Sequence, residues 1–194
     1  MIFMSKHFFA LLSRMKNIYR WGLMRNTRHE NLSEHSLETA FIAHALATIR
    51  NRRLGGDVDA NAVAAAAMFH DTSEIITGDM PTPVKYYNDE IKTIYKKIEA
   101  TAADRLLSTL PEDLRSDYTA LYSPDDQTKR IIKAADKISA YIKCIEETNS
   151  GNREFEAAKE STLKLIHELN MPEAEIFLEE FAESFSLPLD QQRL

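Results

Sequence analysis

Between Asp126 and Asn149, Ile131, Ala135, Ile138, Ile142 and Ile145 recur at spacings of four, three, four and three. This rhythm places them on one stripe of an α-helix, and that stripe has to be buried against other elements. A strand would need alternation at every second residue, which the segment lacks. Elsewhere Ala, Leu, Glu, Lys and Ile dominate, with only five Gly and six Pro, so the expected fold class is all-α. A chain of 194 residues can bury one good core, and a single domain over residues 1–194 is expected.

Further helices are expected over residues 5–19, 32–51, 60–70, 88–110, 153–169 and 172–184. The first carries Phe8, Leu11, Leu12, Met15, Ile18 and Tyr19 at helical spacing. Asn31 with Glu34 three residues on supplies an N-cap oxygen and a first-turn carboxylate, and Asp59 can cap the third helix. Leu37, Phe41, Ala45 and Ile49 then lie roughly in line on the buried side. Loops are expected at 22–31 and 77–86, a loop or short helix at 112–124, and an irregular tail after Phe185.

The net charge of −6 argues against a nucleic-acid polymer as the main partner. A single cysteine, Cys144, excludes an internal disulfide and fits a reducing cytoplasm; it reads as a buried helix residue. No stretch reaches the roughly 20 apolar residues needed to span a bilayer. Phe8–Leu12 is followed by Ser13, Arg14 and Lys16, so it reads as a helix and not a signal peptide.

Chemistry concentrates between Phe69 and Thr82, where His70-Asp71 is followed by Glu74, Asp79 and the Pro81-Thr82-Pro83 turn. Imidazole with carboxylate suits a divalent cation. Adjacent residues in mid-helix point about 100° apart, so both reach one ion only near a helix end. Asp136 lies beside the apolar stripe, where a buried carboxylate is costly without a cation or hydrogen-bond partners; the alternative is a solvated Asp136 paired with Lys133 or Lys137. His35, in a first helical turn, could equally be a structural histidine. His44 should face away, and His7, His29 and His167 have no motif around them, so one metal is expected.

Taken together, His35, His70-Asp71 and Asp136 resemble the H…HD…D pattern of the HD-domain metal-dependent phosphohydrolases. Arg20-Trp21, Ser33-Glu34-His35-Ser36, Glu74, Thr77-Gly78-Asp79 and Pro81-Thr82-Pro83-Val84-Lys85-Tyr86 extend the likeness to bacterial 5′-deoxynucleotidases of the YfbR type. The resemblance covers nearly the whole chain. It implies an all-helical homodimer that removes phosphate from deoxyribonucleoside 5′-monophosphates with one divalent metal. The metal ligands would be His35, His70, Asp71 and Asp136, within a core of about residues 30–142. Arg20, Glu74 and Asp79 would serve catalysis. Arg20, Trp21, Asp71, Asp79, Met80, Pro81, Thr82 and Asp136 would meet the substrate. The divergent Lys137-Ile138-Ser139 after Asp136 is expected not to touch these roles.

Phosphate monoesters are extremely inert in water, so the implied reaction needs a large rate enhancement. A bound divalent ion can lower the pKa of water to about 7, and an arginine can grip two phosphate oxygens better than a lysine. Glu74 is favoured for orienting water, and Trp21 against the deoxyribose would exclude a 2′-hydroxyl. Two imidazoles and two carboxylates admit Co, Mn, Zn, Fe or Cu. Other readings are an HD phosphohydrolase for another phosphate ester, or a metal-free HD-like binding module. A triphosphate should need more cations than Arg20, Lys85 and Arg25.

Overall fold

The computed structural model describes residues 6–85 and 87–192, apart from the side chain of Thr82. Tyr86 and the substrate expectation for the Thr82 side chain therefore lie outside the described residues. The fold is all-α. In chain order the helices are α1 (Phe8–Leu12), α2 (Leu32–Arg53), α3 (Ala60–Phe69), α4 (Glu74–Thr77), α5 (Thr82–Lys85), α6 (Asp89–Ser108), α7 (Glu112–Tyr122), α8 (Asp126–Asn149), α9 (Glu156–His167) and α10 (Pro172–Phe181). Among the described residues no helix is long and apolar enough to cross a membrane.

Helix starts follow the local chemistry. Asn31 Oδ1 accepts from the amides of Ser33 (3.0 Å) and Glu34 (3.2 Å), and Glu34 reaches back to the Asn31 amide, a full capping box. Asp59 caps α3 through the amides of Asn61 and Ala62, and Asp125 caps α8 through that of Thr128. Gly78 ends α4 at φ 74°, a backbone region costly for any residue with a Cβ, and turns the chain so that Asp79 follows.

The main core lies where α2, α3 and α8 meet. The α8 stripe is buried as expected, and Ala40, Ala43, Ala47, Ala66, Ala67, Ala134 and Ala135 are buried with it. These small side chains let the three helices pack closely, with Leu46, Ile131 and Ile138 filling the remaining space. Each fully buried Leu or Ile contributes about 1.5–3 kcal/mol by leaving water. A second cluster of Phe8, Leu106, Leu107 and Leu110 fixes α1 and α6 against Phe69, Tyr118 and Tyr122.

Several expectations need correction. Leu37 and Phe41 are 48% and 66% exposed. Steps of four residues advance 40° around a helix at each repeat, so the line through Leu37 and Phe41 reaches the core only at Ile49. The first helix stops early: Ser13–Asn17 is a 3₁₀ turn, and Tyr19 instead bridges to Asn31 in an extended pairing. The 77–86 loop contains all of α5, and residues 112–122 form a full helix packed through its tyrosines. Cys144 is buried as expected, and burial pushes its thiol up to about 12.

The 22–31 loop has few apolar residues and is held instead by Glu147 on α8. The buried carboxylate accepts from the Thr27 amide (2.9 Å), the Thr27 hydroxyl (2.7 Å), the Arg28 amide (3.2 Å) and Asn152 Nδ2 (2.8 Å), and pairs with Lys143. Although burial works to raise its pKa, these donors, Lys143 foremost, hold it well below the usual carboxylate range. Stabilisation from such a depressed group is complete above the unfolded pKa of about 4.3 and fades as pH falls towards the folded value. Glu147→Ala should therefore destabilise the protein by about 3 kcal/mol at pH 7, because it leaves the buried Lys143 with the Arg28 carbonyl but no counter-charge. Thermal unfolding at pH 7 and at pH 3.5 checks this: the gap between wild type and variant should shrink in acid.

Candidate metal centre

Four side chains from three separate elements meet at one end of the α2–α3–α8 core. His35 comes from the first turn of α2, His70 and Asp71 from the end of α3, and Asp136 from the middle of α8. Because α3 stops at Phe69, the two neighbours in sequence both turn inward, as a shared ligand pair requires. One nitrogen or oxygen from each residue lies within 4.8 Å of all the others, and no second such grouping occurs among the described residues. His35 Nε2 is 3.1 Å from Asp136 Oδ1 and 3.6 Å from Asp71 Oδ2, while His70 Nε2 is 3.1 Å from Asp71 Oδ2.

The electrostatics suit a cation. His35 is fully buried, and burial, aided by Arg20, lowers its pKa so that the ring is neutral. Burial also opposes charge on His70, but Asp71 and Asp136 outweigh it and raise that ring to about 9. Burial would raise both aspartates; His70 holds Asp71 below the usual range, and His35 with Arg20 does the same for Asp136. Two carboxylates therefore stay ionised in a confined site. His70 Nε2 is buried, and its contact with Asp71 is not aligned as a hydrogen bond. An orphaned ring nitrogen, a neutral imidazole and two carboxylates converging on one point fit a borderline divalent ion.

Among the described residues, Arg20 is the one arginine that pairs with this cluster. Its Nη2 is 4.0 Å from Asp136 Oδ1 and its Nε 3.5 Å from Glu30 Oε2, whereas Nη1 is buried with no hydrogen-bond partner. Burial works against the charge, yet Glu30, Asp136, Asp71 and Asp79 together raise its pKa. Glu74, 5% exposed, carries a third unpartnered atom of the site, Oε2; burial, then Asp71 and Asp79, push its carboxyl up to about 9. Asp79 is also raised by burial, with Arg20 opposing. Lys85 pairs with Glu99 at 2.7 Å, while Arg25 lies away from the cluster, paired with Glu154.

Trp21 has φ 60°, a left-handed conformation costing a bulky residue about 1 kcal/mol or more. Its Nε1 donates to Glu30 Oε2 at 3.0 Å and its ring packs 5.3 Å from Phe155, so the strained backbone presents an anchored side chain. Met80 and Pro81 are half-buried in the segment after Asp79. A cleft of about 280 Å³, lined by Phe69, His70, Tyr122, Ile132, Lys133 and Asp136, opens beside the cluster. Asp136 makes no pair with Lys133 or Lys137, contrary to the solvated alternative. His7, His29 and His44 are exposed, and His167 pairs with Glu175 at 2.9 Å.

Two residues escaped the sequence reading. Glu30 precedes the α2 cap and belongs to no motif, yet it holds both Arg20 and Trp21. Ser139 was expected to be uninvolved; its Oγ lies 3.1 Å from His35 Nδ1, because it stands one helical turn beyond Asp136 on the same buried face.

This helical scaffold and its H…HD…D cluster define a metal-dependent phosphohydrolase of the HD-domain class. The structure is similar to an HD-domain phosphohydrolase from Listeria innocua, with a TM-score of 0.81 and 26% identity, covering 92% of this chain and 88% of that one. An HD phosphohydrolase of cyanophage S-2L, bound to dA and one catalytic Zn²⁺ ion, shares the fold at TM-score 0.65 and 17% identity, covering 90% and 96% of the two chains. More specifically, residues 7–185 match the family described as 5′-deoxynucleotidase YfbR-like. A 5′-deoxynucleotidase of Vibrio parahaemolyticus is 52% identical over 96% of this chain and 98% of its own length. One of Pectobacterium atrosepticum is 51% identical over 96% of each. The chain belongs to the YfbR-like 5′-deoxynucleotidase family.

Glu30→Gln should leave Arg20 and Trp21 loosely held while sparing the four-residue cluster. Losing a buried charge-assisted hydrogen bond costs about 2 kcal/mol, or about thirtyfold in kcat/KM. Steady-state kinetics together with metal content check this, with metal content expected to stay at the wild-type level.

Proposed function

We infer that this chain is a metal-dependent 5′-deoxynucleotidase, hydrolysing deoxyribonucleoside 5′-monophosphates to deoxynucleoside and phosphate. Family membership over residues 7–185 supports the activity. The observation that supports this reading of the site is the convergence of His35, His70, Asp71 and Asp136 beside the unpartnered Nη1 of Arg20. These four residues would hold one divalent ion, with Co, Mn, Zn, Fe and Cu all compatible with the donor set. When bound, the ion supplies Lewis acidity, drawing charge from phosphate oxygens and acidifying water.

The chain's own residues do the rest. Arg20 grips the phosphate with its free guanidinium edge and offsets its charge, the main demand of phosphoryl transfer. Glu74 turns its unpartnered Oε2 to orient the attacking water, and Asp79 positions the substrate and handles the proton due to the leaving 5′-oxygen. Trp21, held by Glu30, packs against the deoxyribose and leaves no room for a 2′-hydroxyl; Asp71, Met80, Pro81 and Asp136 complete the pocket. The whole chain acts as one domain, in the cytoplasm, as a homodimer. The exposed apolar Leu37 and Phe41 on α2 support a pairing surface, and sedimentation velocity tests the state. A triphosphate substrate is disfavoured because Arg25 and Lys85, the other candidate cations, are paired with Glu154 and Glu99.

Phosphate release from dAMP and AMP across several divalent ions tests the activity and the sugar selection. Faster turnover of dAMP is expected, and equal rates would refute the role of Trp21. Asp136→Ala should lose both metal and turnover. Glu74→Ala should keep its metal while turnover falls by about 10²–10⁴-fold; near-wild-type turnover would remove Glu74 from the mechanism.

A further inference from the structure

The two histidines of the cluster are held in different ways. His70 Nδ1 faces the Ala67 carbonyl at 2.7 Å, a backbone group that no substitution removes. His35 Nδ1 instead faces the hydroxyl of Ser139, 3.1 Å away across the α2–α8 interface. That hydroxyl donates in turn to Glu38 Oε2 at 3.4 Å, one turn along α2 from His35. Both His35 and Ser139 are completely buried, so the contact between them is shut off from solvent, whereas Glu38 at the far end of the chain of contacts is exposed.

We propose that Ser139 and Glu38 are positioning residues that hold His35 in the tautomer and orientation needed to bind the metal through Nε2. The inference rests on the metal-centre reading above. If Nε2 is to give its lone pair to an ion, the ring proton must sit on Nδ1. Ser139 Oγ is then the acceptor for that proton, which leaves its own hydrogen for Glu38. The relay runs in one direction, from His35 Nδ1–H to the Ser139 hydroxyl to the Glu38 carboxyl. In the opposite tautomer Ser139 would donate to Nδ1, Glu38 would lose its donor, and Nε2–H would face Asp136, the Thr39 hydroxyl and Asp71, at 3.1, 3.4 and 3.6 Å. Glu38 therefore biases the ring from a distance by giving the Ser139 proton somewhere else to go. Partners of this kind, behind a ligating histidine, typically change metal affinity about 10–100-fold when removed.

The test is Co²⁺ affinity, measured by competition with a chelator on full-length protein stripped of metal and titrated back. Ser139→Ala should weaken binding about 10–100-fold, and Glu38→Ala should weaken it several-fold in the same direction. Unfolding midpoints of the metal-free variants should stay near that of the wild type. With ¹⁵N-labelled histidine and Zn²⁺, the wild type should show a slowly exchanging His35 Nδ1–H that Ser139→Ala loses. Affinities for both variants within twofold of wild type, or a His35 proton on Nε2 in the metal-loaded wild type, would overturn the proposal. If Ser139→Ala fails to fold, an unchanged affinity in Glu38→Ala overturns it alone. Failure of the wild type to bind metal through His35 would instead count against the metal-centre reading itself.

Discussion

The arrangement depends on how closely α2, α3 and α8 approach one another. Seven buried alanines line their contact, and each removes side-chain bulk that would otherwise hold the helices apart. A larger residue there would cost more than the usual overpacking strain of about 1–3 kcal/mol, because the same contact sets the spacing of His35, His70, Asp71 and Asp136. Core packing and site geometry are thus one constraint. It brings together two carboxylates that burial would prefer to neutralise, and hydrogen bonding from the imidazoles together with nearby positive charge offsets that tendency. His70 and Arg20 supply it within the chain, and a divalent ion is proposed to supply it in the working enzyme.

A second layer of organisation surrounds Arg20. The arginine and Trp21 lie outside any helix, in a segment with one strained residue and few apolar anchors. Glu30 ties both side chains down, and Glu147 fastens the following loop to α8 through backbone amides. Both carboxylates are buried and act on polar groups, so the loop is held by directional bonds where the core is held by packing. This division suits a site that has to place a guanidinium relative to a cluster of side chains drawn from three separate elements.

Much of the fold was legible because the relevant signals are local. Asn31 and Asp59 announce helix starts, and the Ile131–Ile145 rhythm gives the buried face of α8 directly. The Leu37–Phe41 line misled because four-residue steps drift around the helix. The 112–122 helix was obscured by a polar sequence whose tyrosines, and not aliphatic residues, make its contacts. At the site, His70-Asp71 was legible from its place at a helix end, and the set of four from the family resemblance. Glu30 and Ser139 were not legible, since each acts through a partner that only the folded chain brings near: Arg20 and Trp21 for one, His35 over 104 positions for the other. Short polar residues without a motif carry no advance sign of such partnerships.

The account depends on one ion sharing four named atoms. Anomalous diffraction from crystals soaked in Mn²⁺ or Co²⁺ tests this most directly. A single strong peak per chain is predicted, about 2.0–2.3 Å from Nε2 of His35, Nε2 of His70 and one oxygen each of Asp71 and Asp136. A peak bound elsewhere, two peaks in the cluster, or none at saturating metal would contradict it.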